Sequence, residues 1–131
     1  MTQKTSHRSA RTIVGGPYSP AISVGEHVFI AGQGPISPDT GQIAGNTFEE
    51  QVELTFQNVE EALQTAGCSL DDCVKVNVYL EDMALFDRLN AIYKQKFREP
   101  FPARTTVAAG LWNGIKVEID AVAVLGCSAK K

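Results

Sequence analysis

The chain has 131 residues, a length typical of one domain with a hydrophobic core of ordinary size. Hydrophobic residues make up 44% of the chain and charged residues 21%, which excludes a disordered chain and a collagen-like or disulfide-rich scaffold. The formal net charge of -3 argues against a nucleic-acid-binding protein, because such proteins usually carry an excess of basic residues.

The first 11 residues differ in composition from the rest of the chain. They include Lys4, Arg8 and Arg11 but no acidic residue, and they lack the apolar segment of a secretory signal. We expect residues 1–11 to form a flexible tail and residues 12–131 to form a single domain. Because the tail also lacks the helical face of a transit peptide, we expect a cytoplasmic protein, with an organelle as the alternative. No stretch of about 18 apolar residues predicts a membrane span, so no membrane partner is expected.

Three short strands are predicted before the first helix. Short apolar and β-branched runs, bounded by Gly and Pro turns, favour strands at Arg11–Val14, Ala21–Val24 and His27–Gln33. The segment Gly34–Asn46 is rich in Gly, Pro, Ser and Asp, a composition that predicts a loop.

An amphipathic helix is predicted over Thr47–Ala66. Thr47 and Glu50 have the spacing of a capping box, which predicts the start of the helix. The apolar stripe consists of Phe48, Val52, Val59, Leu63 and Ala66. Leu54 and Phe56 lie off this stripe, and we expect them to meet a partner.

The second half of the chain predicts three strands and one helix. Alternating β-branched residues favour strands at Cys73–Leu80, Ala103–Ala108 and Ile115–Leu125, and helical periodicity favours a helix over Met83–Phe97. The resulting order, β-β-β-α-β-α-β-β, predicts an α+β domain in which a single sheet is covered by two helices on one face.

The last strand separates the two faces of the predicted sheet. Its apolar face consists of Val117, Ile119, Ala121 and Ala123, and its other face consists of Lys116, Glu118, Asp120 and Val122. Two helices cover only one face, so the second face is either solvated or buried by another chain. Arg104 and Thr106 lie two residues apart on one strand, and we expect both on this second face.

The cysteines and histidines do not predict a metal site. Cys68, Cys73 and Cys127 have none of the spacings of zinc ligands, so free thiols are expected. His7 and His27 are far apart, which makes a histidine metal site or a Ser-His-Asp triad a poor interpretation.

Six short motifs occur in order along the chain. They are Gly16-Pro17-Tyr18, Ala31-Gly32-Gln33, Gln57-Asn58-Val59, Asn90 with Tyr93, Phe101-Pro102-Ala103-Arg104 and Lys116-Val117-Glu118-Ile119-Asp120-Ala121. Together they resemble the RidA/YjgF family of reactive-intermediate deaminases, over about residues 12–125. The last two motifs are the most specific part of this resemblance.

The resemblance implies a fold, an assembly and an activity. The fold is chorismate-mutase-like, and the assembly is a homotrimer whose sheets pack at the centre and whose three clefts lie between subunits. The activity is hydrolysis of enamine or imine acids, such as 2-aminoacrylate, to 2-keto acids and ammonia. No metal or cofactor takes part, and the partner is a small carboxylate substrate.

The resemblance also implies roles for particular residues. Arg104 matches the arginine that binds the substrate carboxylate, for which a planar guanidinium is suited. Glu118 matches the glutamate that positions or activates water, and Tyr18 matches the tyrosine that closes over the cleft. The strand backbone that faces the ligand matches Ala31 and Gly32.

Two further positions belong to the substrate site that the resemblance implies, and one of them departs from the residue usual in the family. Asn90 matches an asparagine that borders the site. Thr106 stands where the best-known members carry Cys, so the thiol is replaced by a hydroxyl that donates and accepts hydrogen bonds. Because water is the nucleophile in the implied reaction, we expect activity to survive this change.

Three functions stay open on the sequence. The first is the deaminase. The second is a non-catalytic binder of small carboxylates, or a chaperone or regulator, in which Arg104 would serve equally well but Glu118 would be idle. The third is an endoribonuclease, against which the acidic net charge and the lack of paired histidines argue.

Overall fold

The computed structural model describes residues 3–128, which form one mixed sheet with two helices packed on one of its faces. The strands are β1 (Lys4–His7), β2 (Ala21–Val24), β3 (His27–Gln33), β4 (Cys73–Leu80), β5 (Ala103–Ala108) and β6 (Val117–Val124), and the helices are α1 (Phe48–Thr65) and α2 (Phe86–Lys96). The strand order is β1-β2-β3-β6-β4-β5, with β4 and β5 parallel and the other pairs antiparallel. The α+β prediction is confirmed. Residues 1–2 of the predicted tail and residues 129–131 of the predicted domain lie outside the described residues.

The N-terminal segment contains a strand where a flexible tail was expected. Lys4–His7 pairs antiparallel with β2, and His7 Nε2 lies 2.8 Å from Ser23 Oγ. A strand of polar side chains forms here because the unpaired main-chain groups of β2 can be satisfied without hydrophobic burial. The strand expected at Arg11–Val14 is wrong, since this segment is a turn followed by irregular backbone.

The capping box at the start of α1 is confirmed. Thr47 Oγ1 accepts a hydrogen bond from Glu50 N at 3.1 Å, and Glu50 Oε1 accepts one from Thr47 N at 3.2 Å. The partner expected for Phe56 belongs to the same chain. Phe56 is fully buried against the rings of Tyr93 and Phe97, because α2 packs on the side of α1 that carries Phe56.

The remaining element bounds agree closely with the sequence patterns. Strands β2, β3, β4 and β5 begin and end at the predicted residues, and β6 is shorter than the predicted Ile115–Leu125. The predicted helix Met83–Phe97 is divided into a 3-10 turn at Met83–Leu85 and the α-helix from Phe86 onward. Phe97 has extended backbone and is buried at the end of α2.

The loop Gly34–Asn46 is held against helix α1 by buried amide side chains. Asn58 Nδ2 donates to the carbonyl oxygens of Gly34, at 2.9 Å, and Ile36, at 2.8 Å. Gln51 donates to a further carbonyl of the loop at 3.3 Å. These bonds tie the segment that follows β3 to the helix layer.

The sheet has one buried face and one face without helices. Along β6, buried residues alternate with half-buried ones, as the sequence predicts. We call the second side the open face, and its members are Phe29, Asn77, Tyr79, Thr105, Val107, Glu118, Asp120 and Val122. Phe29 is 45% exposed and Val107 is 41% exposed, so this face presents apolar surface to solvent in the single chain.

The described residues contain neither a disulfide nor a metal-binding cluster. Cys68 and Cys73 are buried free thiols, and Cys127 is an exposed one. Burial raises the pKa of Cys73 to about 12. Within residues 3–128, no three His, Cys, Asp or Glu side chains converge in a way that could hold a metal ion. No helix of this part of the chain has the length and apolar character needed to cross a membrane.

Candidate active site

Arg104 lies against the aromatic face of helix α2. Its Cζ is 4.6 Å from the centre of the Tyr93 ring and 5.5 Å from that of Phe86. Stacking on aromatic faces fixes the plane of a guanidinium while leaving its N–H groups free to donate. Within residues 3–128 this guanidinium makes no ion pair or hydrogen bond to the protein.

The expectation that Arg104 and Thr106 lie on the face without helices is wrong. In the β4–β5 register Arg104 is opposite Val76 and Thr106 is opposite Val78, and both valines are fully buried under the helices. Paired residues of neighbouring strands point to the same side of a sheet. Arg104 and Thr106 therefore lie on the helix side, at the edge strand where the cover of α2 ends.

Asn90 lies on the same stripe of α2 as the two rings beneath Arg104. Phe86, Asn90 and Tyr93 are spaced at i, i+4 and i+7, which places them on one helical face. Asn90 is half-buried. The structure therefore brings Asn90 to the side of α2 that faces Arg104.

Two hydroxyl groups near β5 are buried without a hydrogen-bond partner among the described residues. They belong to Thr106 and Tyr93. Burial raises the pKa of Tyr93 to about 12, while the nearby charge of Arg104 acts in the opposite direction. A buried hydroxyl without a partner costs free energy, so these groups are available to a bound ligand or an adjoining chain.

Glu118 lies on the open face and covers the backbone of Gly32. A Cβ atom added at Gly32 would overlap Glu118 Oε2 and would lie 3.0 Å from Glu118 Cδ. Glycine leaves room for the carboxylate in this position, because a side chain here would displace it. The register between β3 and β6 shifts between Ile30 and Gln33, so Ala31 and Gly32 form an irregular stretch of the strand.

The environment of Glu118 favours its protonated form. Burial is the main cause that raises the pKa of Glu118, and the negative charge of Asp120 adds to it. A carboxylate with a raised pKa is a better proton acceptor near neutral pH than an exposed one. The position of Glu118 is therefore suited to acid–base chemistry.

Asp120 is the centre of a hydrogen-bond network that the sequence did not indicate as part of the site. Its Oδ1 accepts from Asn77 Nδ2 at 2.8 Å, and its Oδ2 accepts from Tyr79 Oη at 2.7 Å. The bond to Asp120 raises the pKa of Tyr79 to about 12. The only sequence signal was that these residues alternate outward on two strands, and that signal did not show that the strands are neighbours.

Tyr18 lies near the Ala31–Gly32 end of β3, since the carbonyl of Pro20, two residues later, accepts a hydrogen bond from Ala31 N at 3.0 Å. It lies in the turn before β2, its ring is 48% exposed, and its Oη accepts from Gly15 N at 3.1 Å. No hydrogen bond among the described residues joins Tyr18 to Arg104 or Glu118. Its role as a residue that closes over the cleft stays a prediction.

The predicted site residues thus form two groups on opposite sides of one sheet. Arg104, Thr106 and Asn90 belong to the helix side, at the β5 edge. Glu118 and Gly32 belong to the open face, between β3 and β6. Because the sheet separates the two groups, one small molecule does not reach both within one chain.

Comparison with known proteins identifies the family. The model of the family described as endoribonuclease L-PSP matches residues 9–125. The chain belongs to this family. It is 43% identical over 109 residues to a RutC family protein of Pyrococcus abyssi, a match that covers 82% of this chain and 86% of the relative. It is 39% identical over 112 residues to the 2-iminobutanoate/2-iminopropanoate deaminase of Homo sapiens, with coverages of 85% and 82%.

Solved structures of the family share the fold. RidA from an Antarctic Psychrobacter species superimposes with a TM-score of 0.87 at 34% identity, covering 92% of this chain and 99% of that one. Escherichia coli TdcF with bound serine gives a TM-score of 0.84 at 31% identity, with coverages of 92% and 98%. The resemblance to the RidA/YjgF family is therefore confirmed.

Proposed function

We propose that the protein hydrolyses enamine or imine acids to 2-keto acids and ammonia, in clefts between the subunits of a homotrimer. The proposal is supported by relatives that carry the name 2-iminobutanoate/2-iminopropanoate deaminase at 39% identity. A cytoplasmic location stays a prediction, and a relative in Schizosaccharomyces pombe, 40% identical over 124 residues, is named a mitochondrial protein.

The observation that carries the proposal is the unpaired guanidinium of Arg104. Five other basic side chains of the described residues are paired with acids: Arg11, Arg88, Lys96, Arg98 and Lys116. Arg104 is half-buried, oriented by two rings and without such a partner. A guanidinium held in this way is suited to bind a carboxylate through two parallel hydrogen bonds.

The separation of Arg104 and Glu118 supports a site shared between two chains. In one chain they lie on opposite sides of the sheet, so both can contact one substrate only when they come from different subunits. The open face offers exposed Phe29 and Val107 as apolar surface for such an assembly. A homotrimer generates three equivalent shared sites by rotation.

The chemistry follows from these positions. Arg104 binds the carboxylate of the imine acid and fixes the adjacent electrophilic carbon. Glu118 takes a proton from a water molecule as the water oxygen attacks that carbon and the C=N electron pair moves to nitrogen. Glu118 gives this proton to the nitrogen, which completes the carbinolamine. Glu118 then transfers the hydroxyl proton of the carbinolamine to the nitrogen as the C=O bond forms and the C–N bond breaks, so ammonia leaves with both protons of the water. Water is the only co-reactant consumed.

The test is ammonia release from imines that an amino-acid oxidase generates in situ from small, aromatic and acidic amino acids. We expect the wild-type protein to accelerate hydrolysis and Arg104→Ala to lower kcat/KM by at least about 100-fold, the loss of two charge-assisted hydrogen bonds. Arg104→Lys should also be poor, because an ammonium offers a point charge without the planar pair of donors.

The matched control is Arg98→Ala. Arg98 is an exposed arginine that lies shortly before β5 and is paired with Asp71. Its loss should leave hydrolysis unchanged. Circular dichroism and sedimentation check that each variant is folded and assembled. Wild-type turnover in a folded Arg104→Ala protein would remove Arg104 from the site.

A further inference from the structure

The Asp120 carboxylate lies beside Glu118 on the open face. The two residues are separated by two positions on β6, so both side chains leave the sheet on the same side. Asp120 receives one donor on each oxygen, from Asn77 Nδ2 at 2.8 Å and from Tyr79 Oη at 2.7 Å. These two hydrogen bonds fix the orientation of the carboxylate.

Tyr79 lies between the carboxylates of Glu118 and Asp120, and it donates its hydrogen bond to Asp120. In the β4–β6 register Tyr79 is directly opposite Glu118, and Asn77 is directly opposite Asp120. The hydroxyl of Tyr79 has a single proton to donate, and it donates to Asp120, the diagonal neighbour on β6. Glu118 consequently accepts no hydrogen bond from any side chain of residues 3–128 and keeps both oxygens for water.

We propose that Asp120, held by Asn77 and Tyr79, is a positioning residue that maintains a fixed negative charge beside Glu118 and strengthens Glu118 as the base toward the attacking water. The inference deepens the proposed function and rests on it. Asp120 itself touches neither substrate nor water in this role.

The surroundings of Glu118 leave Asp120 as the charge closest to it. On the β3 side the neighbour is Gly32, and the titratable His27 lies at the far end of that strand, opposite Val124. Burial and the charge of Asp120, in that order, raise the pKa of Glu118.

The basic side chains on the same side of the sheet are directed elsewhere. Lys116, two residues before Glu118, has its ammonium 3.2 Å from Glu81 Oε1. Lys75 of β4 donates to Thr105 Oγ1 at 2.7 Å. Within one chain, no cation of the described residues therefore offsets the effect of Asp120 on Glu118. In the proposed assembly Arg104 of a neighbouring subunit faces the same cleft, and it is present alike in the wild type and in each variant, so differences between them report the charge of Asp120.

The proposed charge has a definite consequence for the proton transfers. As the water oxygen bonds to the imine carbon, one water proton moves to Glu118, and this step is favoured when the proton affinity of Glu118 is high. Glu118 later gives this proton to the nitrogen and carries the second water proton, from the carbinolamine hydroxyl, to the departing nitrogen as the C–N bond breaks. The cost is that Glu118 is protonated, and so inactive as a base, up to a higher pH.

The experiment measures two quantities in the assembled wild-type protein and in Asp120→Asn. The first is the pKa of the Glu118 carboxyl, from a carbon-13 NMR titration assigned with Glu118→Gln. The second is the pH profile of kcat/KM for imine hydrolysis. Removing the charge should lower the pKa of Glu118 and move the acidic limb of the profile to lower pH by the same amount. It should also lower the plateau of kcat/KM by roughly a few-fold, because the base is weaker.

Two more variants separate charge from structure. Asp120→Glu retains the negative charge, so its acidic limb should stay close to that of the wild type. Tyr79→Phe leaves Asp120 in place but removes a donor that partly neutralises it, so the pKa of Glu118 should rise. Opposite shifts in Asp120→Asn and Tyr79→Phe are expected from an electrostatic role, whereas a merely structural role would move neither titration in a folded protein.

Each outcome decides a separate question. An unchanged Glu118 pKa in Asp120→Asn overturns the inference, as does a lowered pKa with an unmoved acidic limb in an active enzyme. Should Asp120→Asn fail to fold, an unchanged or lowered pKa in Tyr79→Phe overturns it instead. If the wild-type protein hydrolyses no imine, the proposed function fails and with it the role of Asp120 in that reaction, while the titration still reports the charge coupling.

Discussion

Glu118 combines three properties that a proton acceptor needs. It is half-buried, its pKa is raised by burial and by Asp120, and Gly32 leaves room for its carboxylate. A residue that only contacts a ligand would need none of these. A substitution of Glu118 can therefore distinguish an enzyme from a protein that only binds small carboxylates.

We expect Glu118→Gln to lower kcat by about 10²- to 10⁴-fold, the usual contribution of a general base. Its affinity for pyruvate, a stable keto acid, should change little, because the amide keeps the size of the side chain and Arg104 keeps the carboxylate contact. Stopped imine assays and calorimetry on the same variant measure the two quantities, with the exposed Glu26→Gln as control. Unchanged turnover would favour the binder.

The raised pKa of Glu118 also sets the direction of the pH dependence. A base works when it is deprotonated, so kcat/KM should fall as pH decreases through the pKa of Glu118. Because that pKa is raised, the fall should begin at a higher pH than the value of about 4.3 typical of an exposed glutamate. A profile that stays flat down to the pH where carboxylates ordinarily titrate would contradict the assignment.

Tyr93 contributes its ring to Arg104 and leaves its hydroxyl unused within one chain. Tyr93→Phe keeps the ring 4.6 Å from the guanidinium and removes a buried hydroxyl without a partner, so stability and turnover should be retained or improved. Tyr93→Leu removes the ring and should raise KM by roughly 2- to 30-fold, the range of a cation–π contact. Lost activity in Tyr93→Phe would show that substrate or another subunit uses the hydroxyl.

The sequence predicted the identities of these residues better than their orientation. Alternation along β5 shows that Arg104 and Thr106 share a face, but it does not show which face, because an exposed edge strand has no buried residues of its own to mark the core side. Likewise, Asn77 and Asp120 are far apart in the sequence, and only the pairing of β4 with β6 brings them to 2.8 Å. Side chains that meet across non-consecutive strands leave no local pattern.

At the level of elements, helix α1 supports the site through the loop that follows β3. Asn58 donates to the Gly34 and Ile36 carbonyls and is only 4% exposed, so these carbonyls have no water to replace it. The strand that ends in this loop carries Gly32 beneath Glu118. Loosening the loop should therefore affect both stability and the geometry around Glu118.

We expect Asn58→Ala to lower the free energy of unfolding by about 2–4 kcal/mol, because two buried carbonyls lose their donors and a cavity is left. The neighbouring Gln57→Ala removes an exposed amide of the same helix and should change it by less than about 0.5 kcal/mol. Urea unfolding at a fixed protein concentration measures both. Equal midpoints for the two variants would show that the loop is held by other contacts.

Elements with strong periodicity or caps were predictable, and β1 was not. The capping box of α1 and the alternation of β4 are local patterns, and the structure has both elements at nearly the predicted bounds. Lys4–His7 has no apolar residue, so neither hydrophobic alternation nor burial marks it as a strand. Its pairing depends on the free edge of β2, which is a property of the assembled sheet.

At the level of the whole molecule, the two groups of site residues face away from each other. The helix-side group at the β5 edge and the open-face group around Glu118 become parts of one site only if neighbouring copies are arranged around an axis. Such a head-to-tail contact closes into a ring when the rotation fits, as a trimer requires. A stable monomer of 14.1 kDa in sedimentation equilibrium would contradict this arrangement.

A sharper test of shared sites is to mix two inactive variants. Arg104→Ala retains Glu118, and Glu118→Gln retains Arg104, so a mixed trimer of either composition contains one cleft with both intact residues. Random assembly from equal amounts makes about three quarters of the trimers mixed, each with one complete site in three, and activity should recover to about one quarter of the wild-type value. The variants are unfolded together and refolded, with each variant refolded alone as control. If the sites form within one chain, the mixture should be no more active than the variants refolded alone. A dimer with shared sites would also give about one quarter of the wild-type activity. Sedimentation of the refolded mixture distinguishes the dimer from the trimer.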